Sequence, residues 1–203
     1  VRSLFQKFFK ELLICLKMID SKDKLKYYLL MDANRYNGQL PKFRDFILGN
    51  EKWYIFHYIK ALRYVEYYLN TKGKRNLKFL WHWFIYKRLG WKLNFVVFPN
   101  TVGPGFRIFH SGNFTNIGPD VKIGKNCTLL TGCVFGHKHE KDVPTPVIIG
   151  DNFYAGLNVV FVGSIKIGNN VEVGANAVVT KDFPDNVAIA GVPAKIIKRK
   201  KND

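Results

Sequence analysis

The sequence predicts a mainly β fold, a solenoid of stacked coils that follows an α-helical N-terminal region. From Ile117 to Val179 the chain counts in sixes. A fixed internal period is typical of proteins whose units bury their apolar sides only by stacking on their neighbours. The first 95 residues follow helical spacing instead, and they hold all four Trp and nine of the ten Tyr. We therefore expect a helical region at residues 1–95 and a coil region at residues 96–203.

Each six-residue unit offers two apolar positions to the inside of a coil. The first position is occupied by Ile117, Ile123, Leu129, Phe135, Val143, Ile149, Ala155, Phe161, Ile167, Val173 and Val179, with only Lys141 and Asp142 as extra residues. The second is occupied by Val121, Cys127, Cys133, Val147, Phe153, Val159, Ile165, Val171 and Ala177. Asn126, Asn152, Asn170 and Asn176 fall at turns that favour a positive φ. This pattern predicts short strands and tight turns, with three units in each coil of about eighteen residues.

Two further segments carry a resemblance to a known family. Residues 103–112 read GPGFRIFHSG, and residues 178–182 and 190–198 read VVTKD and AGVPAKIIK. The first segment resembles the serine acetyltransferases, and the other two resemble the closing segments of acetyl-coenzyme A-dependent O-acetyltransferases. With the sixes, they make the stretch from about residue 96 to residue 199 similar to the hexapeptide-repeat acetyltransferases. This resemblance implies a left-handed parallel β-helix that assembles as a trimer or a dimer of trimers.

The helical region is strongly basic, with 20 Lys and Arg against 7 Asp and Glu. Apolar spacing predicts helices over the first twenty residues, Leu25–Tyr36, Asn50–Leu69 and Leu77–Leu89. One interpretation is a packed helical cap that also mediates subunit contacts. The other is an interfacial patch whose Trp, Tyr, Lys and Arg face anionic lipid or an acidic glycan. No recognition motif supports a nucleic-acid partner.

The three Cys do not form a disulfide framework, because Cys127 and Cys133 fall at inward repeat positions and Cys15 lies among helical apolar residues. Buried free thiols favour a reducing compartment. We find no signal peptide and no apolar run near the ~18 residues that span a bilayer. The expected location is therefore the cytoplasm, with the inner face of the membrane as the site of any lipid contact.

His110 is the predicted general base. Transfer of acetyl from a thioester to a hydroxyl needs a group that removes the hydroxyl proton, and imidazole titrates near neutrality. His137 is the alternative, since Gly136-His137 ahead of a loop resembles the catalytic position of galactoside and maltose acetyltransferases. Serine acetyltransferases carry an Asp about fifteen residues before the base, where this chain has only apolar residues. The partner of His110 is then a backbone carbonyl or an acid from elsewhere, such as Asp142.

The resemblance also implies where the substrates bind. Acetyl-coenzyme A would lie in a groove between the coils of adjacent subunits, and the matching positions are Gly156, Ala175, Thr180, Lys181, Lys195 and Lys198. Acceptor contacts are assigned to Arg107, Asn113, His137 and His139. Serine acetyltransferases hold the serine carboxylate with Arg-His before a Pro, whereas this chain has Pro144-Thr145-Pro146. A sugar hydroxyl, in a surface polysaccharide or its lipid-linked precursor, is therefore favoured over serine.

Two other classes of protein compete with this prediction. A zinc hydratase of the carbonic anhydrase type could be built on the same solenoid, with His110, His137 and His139 as ligands. The acetyltransferase-like ending argues against zinc, and we expect no metal. A scaffold that has lost catalysis is the third hypothesis, because the expected Asp is missing.

Overall fold

The computed structural model describes residues 19–136 and 146–200 of the 203-residue chain. In these residues the helices are α1 (Lys22–Asn34), α2 (Phe43–Ile47), α3 (Glu51–Thr71) and α4 (Leu77–Leu93). The helix predicted for the first twenty residues lies outside the described part, apart from its last two positions. The other three predicted helices are confirmed with shifted ends. The short α2 was missed because five residues are too few to show a helical period.

Side chains at the helix starts set those ends. The hydroxyl of Ser21 accepts from the Lys24 backbone N–H, and the amide oxygens of Asn50 and Asn76 accept in the same way at the starts of α3 and α4. Such caps satisfy N–H groups that have no partner within the helix. The cap at Asn50 makes Glu51 the first residue of α3, where the helix dipole favours a carboxylate.

The coil region consists of short strands: β1 (Phe95–Val97), β2 (Arg107–Phe109), β3 (Thr115–Ile117), β4 (Val121–Ile123), β5 (Thr128–Leu130), β6 (Val134–Gly136), β7 (Val147–Ile149), β8 (Tyr154–Ala155), β9 (Val160–Val162), β10 (Lys166–Ile167), β11 (Glu172–Val173), β12 (Val178–Val179), β13 (Val187–Ala190) and β14 (Lys195–Arg199). The first sheet has the order β1-β3-β6-β9-β12, the second β4-β7-β10, and the third β2-β5-β8-β11-β13-β14. All pairs are parallel except the β13–β14 hairpin. The chain visits the three sheets in turn, which confirms the three-sided solenoid.

Side chains in successive coils lie above one another. The Asn152 amide donates to Asn170, 18 residues on, while Asn126 donates to Asn152 across 26 residues, a separation that contains residues 137–145. The four predicted turn asparagines have φ between 55° and 58°. Both apolar positions are buried in every described unit, and Val143 lies outside the described part. Cys127 and Cys133 are buried free thiols, and burial raises the pKa of Cys133 to about 12.

One hydrophobic core runs from α3 and α4 into the coils, although the change from helix to strand falls at Asn94. A buried ion cluster adds to this contact. Arg63 of α3 pairs with Asp32 at 2.8 Å and Glu66 at 3.0 Å, and it donates to the carbonyls of Val102 and Gly103 at the first coil. Burial opposes the charge on Arg63, but the two carboxylates raise its pKa well above the ordinary value. Among the described helices, none is both long and apolar enough to cross a bilayer.

Candidate active site

His110 lies at a corner of the solenoid, directly after β2 and before the turn that leads to β3. Its φ of 64° is in the left-handed region, which is uncommon for a residue other than glycine. The side chain is 65% exposed. Strained backbone at an exposed corner is frequent in functional sites because the surrounding scaffold holds it.

Glu51, the first residue of α3, orients His110. The Glu51 Oε1 atom lies 2.8 Å from His110 Nδ1, and its Oε2 atom accepts from the backbone N–H and the hydroxyl of Ser111, both at 3.0 Å. Sequence reasoning missed this acid, which is 59 residues from the histidine. The sequence did predict that a helix begins near Asn50-Glu51, but nothing in it indicated that Glu51 contacts His110. Asp142, the acid suggested from the sequence, lies outside the described residues.

The charge state of Glu51 decides which ring nitrogen carries the proton. Burial alone would raise the pKa of Glu51, but the hydrogen bonds from His110 and Ser111 outweigh it and lower the pKa below its usual value. The group is therefore a carboxylate near neutral pH, and a carboxylate can only accept hydrogen bonds. Nδ1 of neutral His110 must then carry the hydrogen, which leaves Nε2 able to accept a proton.

Several predicted site residues lie along the same edge of the solenoid as His110. This edge, which we call the His110 edge, joins the third sheet to the first and is formed by the turns at residues 110–114, 131–133, 156–159 and 174–177. The β13–β14 turn at residues 191–194 continues it, with hydrogen bonds to Val178 of β12. Asn113 donates to Asn158 at 2.9 Å, and Asn158 donates to Asn176 at 3.3 Å. A Cβ on Gly156 would lie 2.7 Å from the backbone nitrogen of Ala175, so the close approach of these coils requires glycine there.

The other four residues predicted to contact coenzyme A do not all lie on the His110 edge. Lys195 pairs with Ala190 at the lower end of the His110 edge, while Lys198 pairs with Ala188, farther along the third sheet. Thr180 and Lys181 follow the C-terminal end of β12, whereas the His110 edge lies at the N-terminal ends of the strands of the first sheet. The Lys181 ammonium lies 5.7 Å from the Phe183 ring. The structure thus brings Gly156, Ala175 and Lys195 to the edge that carries His110, and it does not bring Thr180 or Lys181 there.

Of the four residues predicted to contact the acceptor, Arg107 and Asn113 contact other residues of the chain. Arg107 donates to the Arg35 carbonyl, and its guanidinium lies 5.0 Å from the Tyr36 ring and 3.9 Å from the Phe109 ring. Asn113 belongs to the asparagine ladder of the His110 edge. His137 and His139 lie outside the described residues, so their roles stay predictions. Within residues 19–136 and 146–200, no group of three or more His, Cys, Asp or Glu could hold a metal ion.

No protein-family model matches the chain. The galactoside O-acetyltransferase of Escherichia coli (strain K12) is 42% identical over 86 residues, which cover 40% of this chain and 42% of that protein. The solved serine acetyltransferase of Neisseria gonorrhoeae superposes with a TM-score of 0.69 at 24% identity, covering 90% of this chain and 68% of that one. The chain has the left-handed β-helix fold of the hexapeptide-repeat acetyltransferases. This finding confirms the predicted fold, including the hand that the hexads do not reveal.

A third comparison concerns a ligand. The serine acetyltransferase of Brucella abortus strain S19, solved in complex with coenzyme A, superposes with a TM-score of 0.67 at 21% identity, covering 90% of this chain and 71% of that one. The sequence matches are shorter than the structural ones. The chain spans less than half the length of the curated hexapeptide-repeat relatives it matches.

Proposed function

We propose that the chain is an acetyl-coenzyme A-dependent O-acetyltransferase whose acceptor is a sugar hydroxyl. The observation that carries this proposal is the 2.8 Å contact between Glu51 and His110, at the head of an edge that also bears Gly156, Ala175 and Lys195. It answers the objection that the expected acid is missing from the coil, because the helical region supplies one. The acetyltransferase relatives and the fold support the reaction type.

The chemistry needs one base and no acyl-enzyme. His110 Nε2 accepts the proton of the acceptor hydroxyl as its oxygen attacks the thioester carbonyl carbon. The tetrahedral intermediate then collapses, the C–S bond breaks, and the imidazolium returns the proton to the departing thiolate. Glu51 holds the ring and stabilises the imidazolium while it exists. Much of the rate would come from holding the two substrates together.

The donor would lie along the His110 edge. Neighbouring strands are about 4.8 Å apart, so the four steps from β2 to β13 through the third sheet span roughly 19 Å. An extended coenzyme A could therefore place its thioester beside His110 and its phosphates near Lys195. A second coil in a trimer would supply the other wall of this groove, as the sequence resemblance implied.

A bulky residue on this edge tests the donor position. Ala175→Trp should raise the KM for acetyl-coenzyme A at least tenfold, because an exposed small residue there would leave room for the pantetheine arm. Ser164→Trp is the matched control, since Ser164 is an exposed turn residue on a different edge, between β9 and β10. Equal KM values for the two variants would refute the donor position.

The sugar acceptor is favoured over serine by the galactoside O-acetyltransferase relative and by the uncharged Pro144-Thr145-Pro146 segment. Within this proposal, the sugar belongs to a surface polysaccharide or its lipid-linked precursor. Serine remains the second acceptor because the superposed structures are serine acetyltransferases. Both reactions would use the same pair of residues and differ only in the molecule that presents the hydroxyl.

The deciding experiment measures release of free coenzyme A with serine and with a panel of sugars. We expect turnover with a sugar, and we expect His110→Ala to lower kcat/KM about 10²- to 10⁴-fold. His137→Ala is run beside it with both melting temperatures recorded. Loss of activity in His137→Ala alone would transfer the base to that residue, and turnover with serine alone would replace the acceptor. Stoichiometric zinc with carbon dioxide hydration would instead favour the hydratase.

A further inference from the structure

The outer face of α4 is apolar and has no partner among the described residues. Leu77 is 81% exposed, Leu80 49%, Trp81 64%, Phe84 62% and Trp91 88%. Their spacing places them on one side of the helix, and we call them the α4 stripe. The opposite side of the same helix carries Phe79, Tyr86, Gly90 and Leu93, which are buried. The stripe is therefore held in place by a packed helix, and its exposure is not a consequence of loose structure.

The charged side chains of α4 itself all have one sign. Lys78, Lys87, Arg88 and Lys92 of α4 are exposed. By helical spacing, Lys78 and Lys92 border one side of the stripe, Lys87 borders the other, and Arg88 lies between Phe84 and Trp91. The sequence has no Asp or Glu from residue 67 to residue 119. Apolar and aromatic side chains bordered by long cationic ones fit the boundary between lipid tails and anionic headgroups.

Charge also distinguishes between the partners that could cover the α4 stripe. In a two-fold contact, a second copy would bring a face with the same cations against this one, and the whole chain carries a formal net charge of +17. Residues 1–18 are also net basic, with Arg2, Lys7, Lys10 and Lys17 against Glu11. A polyanion without an apolar part would pair with the cations but leave the Leu, Phe and Trp side chains in water. An anionic bilayer surface satisfies both parts of the face.

We propose that the α4 stripe is a docking surface for an anionic membrane, on which α4 lies parallel to the bilayer plane. The Trp, Phe and Leu side chains enter the headgroup boundary, and the bordering cations contact the lipid phosphates. This inference does not depend on the acetyl-transfer reaction, since it rests only on the exposure and charge of α4. It also commits the protein to contact at the surface of the membrane.

Sedimentation of the full chain with vesicles tests the proposal. We expect binding to phosphatidylcholine vesicles that contain about a third phosphatidylglycerol, weak binding to pure phosphatidylcholine, and loss of binding as salt is raised. Trp81→Ala with Phe84→Ala should weaken binding roughly tenfold or more, since two large side chains no longer enter the boundary. Lys78→Glu with Arg88→Glu should weaken it by a similar factor.

Val192→Ala with Ile197→Ala is the matched control. These residues are 71% and 67% exposed but lie at the C-terminal end of the coil region. Their variant should bind vesicles like the parent protein, and circular dichroism should be the same for all proteins because only exposed side chains change. The proposal is overturned if the parent protein does not sediment with anionic vesicles, or if the Trp81/Phe84 variant binds as the parent does. It is also overturned if light scattering shows a smaller oligomer for that variant and the parent protein does not bind vesicles, since the stripe would then join copies of the chain.

Discussion

The coil region and the helical region are stabilised in different ways. The coils repeat one small set of contacts, such as the ladder in which Asn152 donates to Asn170 and Asn170 donates to Asn186. The helical region is joined to the coils by apolar packing and by individual polar contacts that do not repeat, among them the buried cluster in which Arg63 donates to two carboxylates and two carbonyls. A repeated contact distributes its stabilisation over many equal positions, whereas the cluster concentrates its contribution in one side chain.

The candidate base and its acid lie on opposite sides of this division. His110 belongs to the coils and Glu51 to α3. The geometry of the pair therefore depends on how the helical region docks, and the Arg63 cluster is part of that docking. The periodic part of the molecule therefore carries the edge proposed to bind the donor, while the aperiodic part supplies the acid that contacts the candidate base.

The largest expected effect comes from removing the cation of the buried cluster. Arg63→Met should lower the free energy of unfolding by about 3–5 kcal/mol, because Asp32 and Glu66 are left buried without a positive partner. Chemical denaturation measures the difference. Lys60→Met is the control on the same helix, and its exposed side chain should change stability by less than about 0.5 kcal/mol. Similar stabilities for the two variants would show that the cluster does not hold the regions together.

Glu51→Gln should affect activity more than stability. The amide can no longer neutralise the imidazolium, so we expect kcat to fall about 10- to 1,000-fold, with the KM for acetyl-coenzyme A unchanged. Steady-state kinetics of acetyl transfer provide the measurement. Glu172→Gln is the control, because Glu172 is an exposed coil carboxylate paired with Lys200 at 2.8 Å. An active Glu51→Gln enzyme would remove Glu51 from the mechanism.

A smaller effect is expected within the coils. Asn170 has a φ of 55° and two ladder hydrogen bonds. Asn170→Ala should cost about 1–2 kcal/mol, since alanine tolerates this conformation poorly, and Asn170→Gly should cost less. Thermal unfolding distinguishes the two variants. A glycine variant as unstable as the alanine variant would assign the cost to the lost amide contacts instead of the backbone.

The smallest expected effect concerns pH. The pKa of Glu51 is lowered in the folded protein, so its carboxylate stabilises the fold above the unfolded pKa of about 4.3 and loses that contribution as pH falls through the lower folded value. The difference in melting temperature between parent and Glu51→Gln should shrink below about pH 4, because the carboxylate is protonated there. A difference that grows as pH falls below about 4 would contradict the sign of the pKa shift.

The hexads predicted the solenoid well because each contact in it joins equivalent positions a constant number of residues apart. The buried Phe161, the free thiol of Cys133 and the turn at Asn152 all follow from that period. Helical spacing likewise located α1, α3 and α4 to within a few residues. Local rules of this kind can be read from residue order.

The Glu51–His110 pair could not be read in this way, and neither could the contact of Arg63 with the first coil. Both join groups whose separation along the chain has no relation to a helix turn, a strand or a six-residue unit. They form because a continuous apolar core sets one orientation of α3 against β1 and β2, and that orientation depends on side-chain shapes from many parts of the chain. Residue order was sufficient for the column and its turns, while three-dimensional packing selected the acid that serves the histidine.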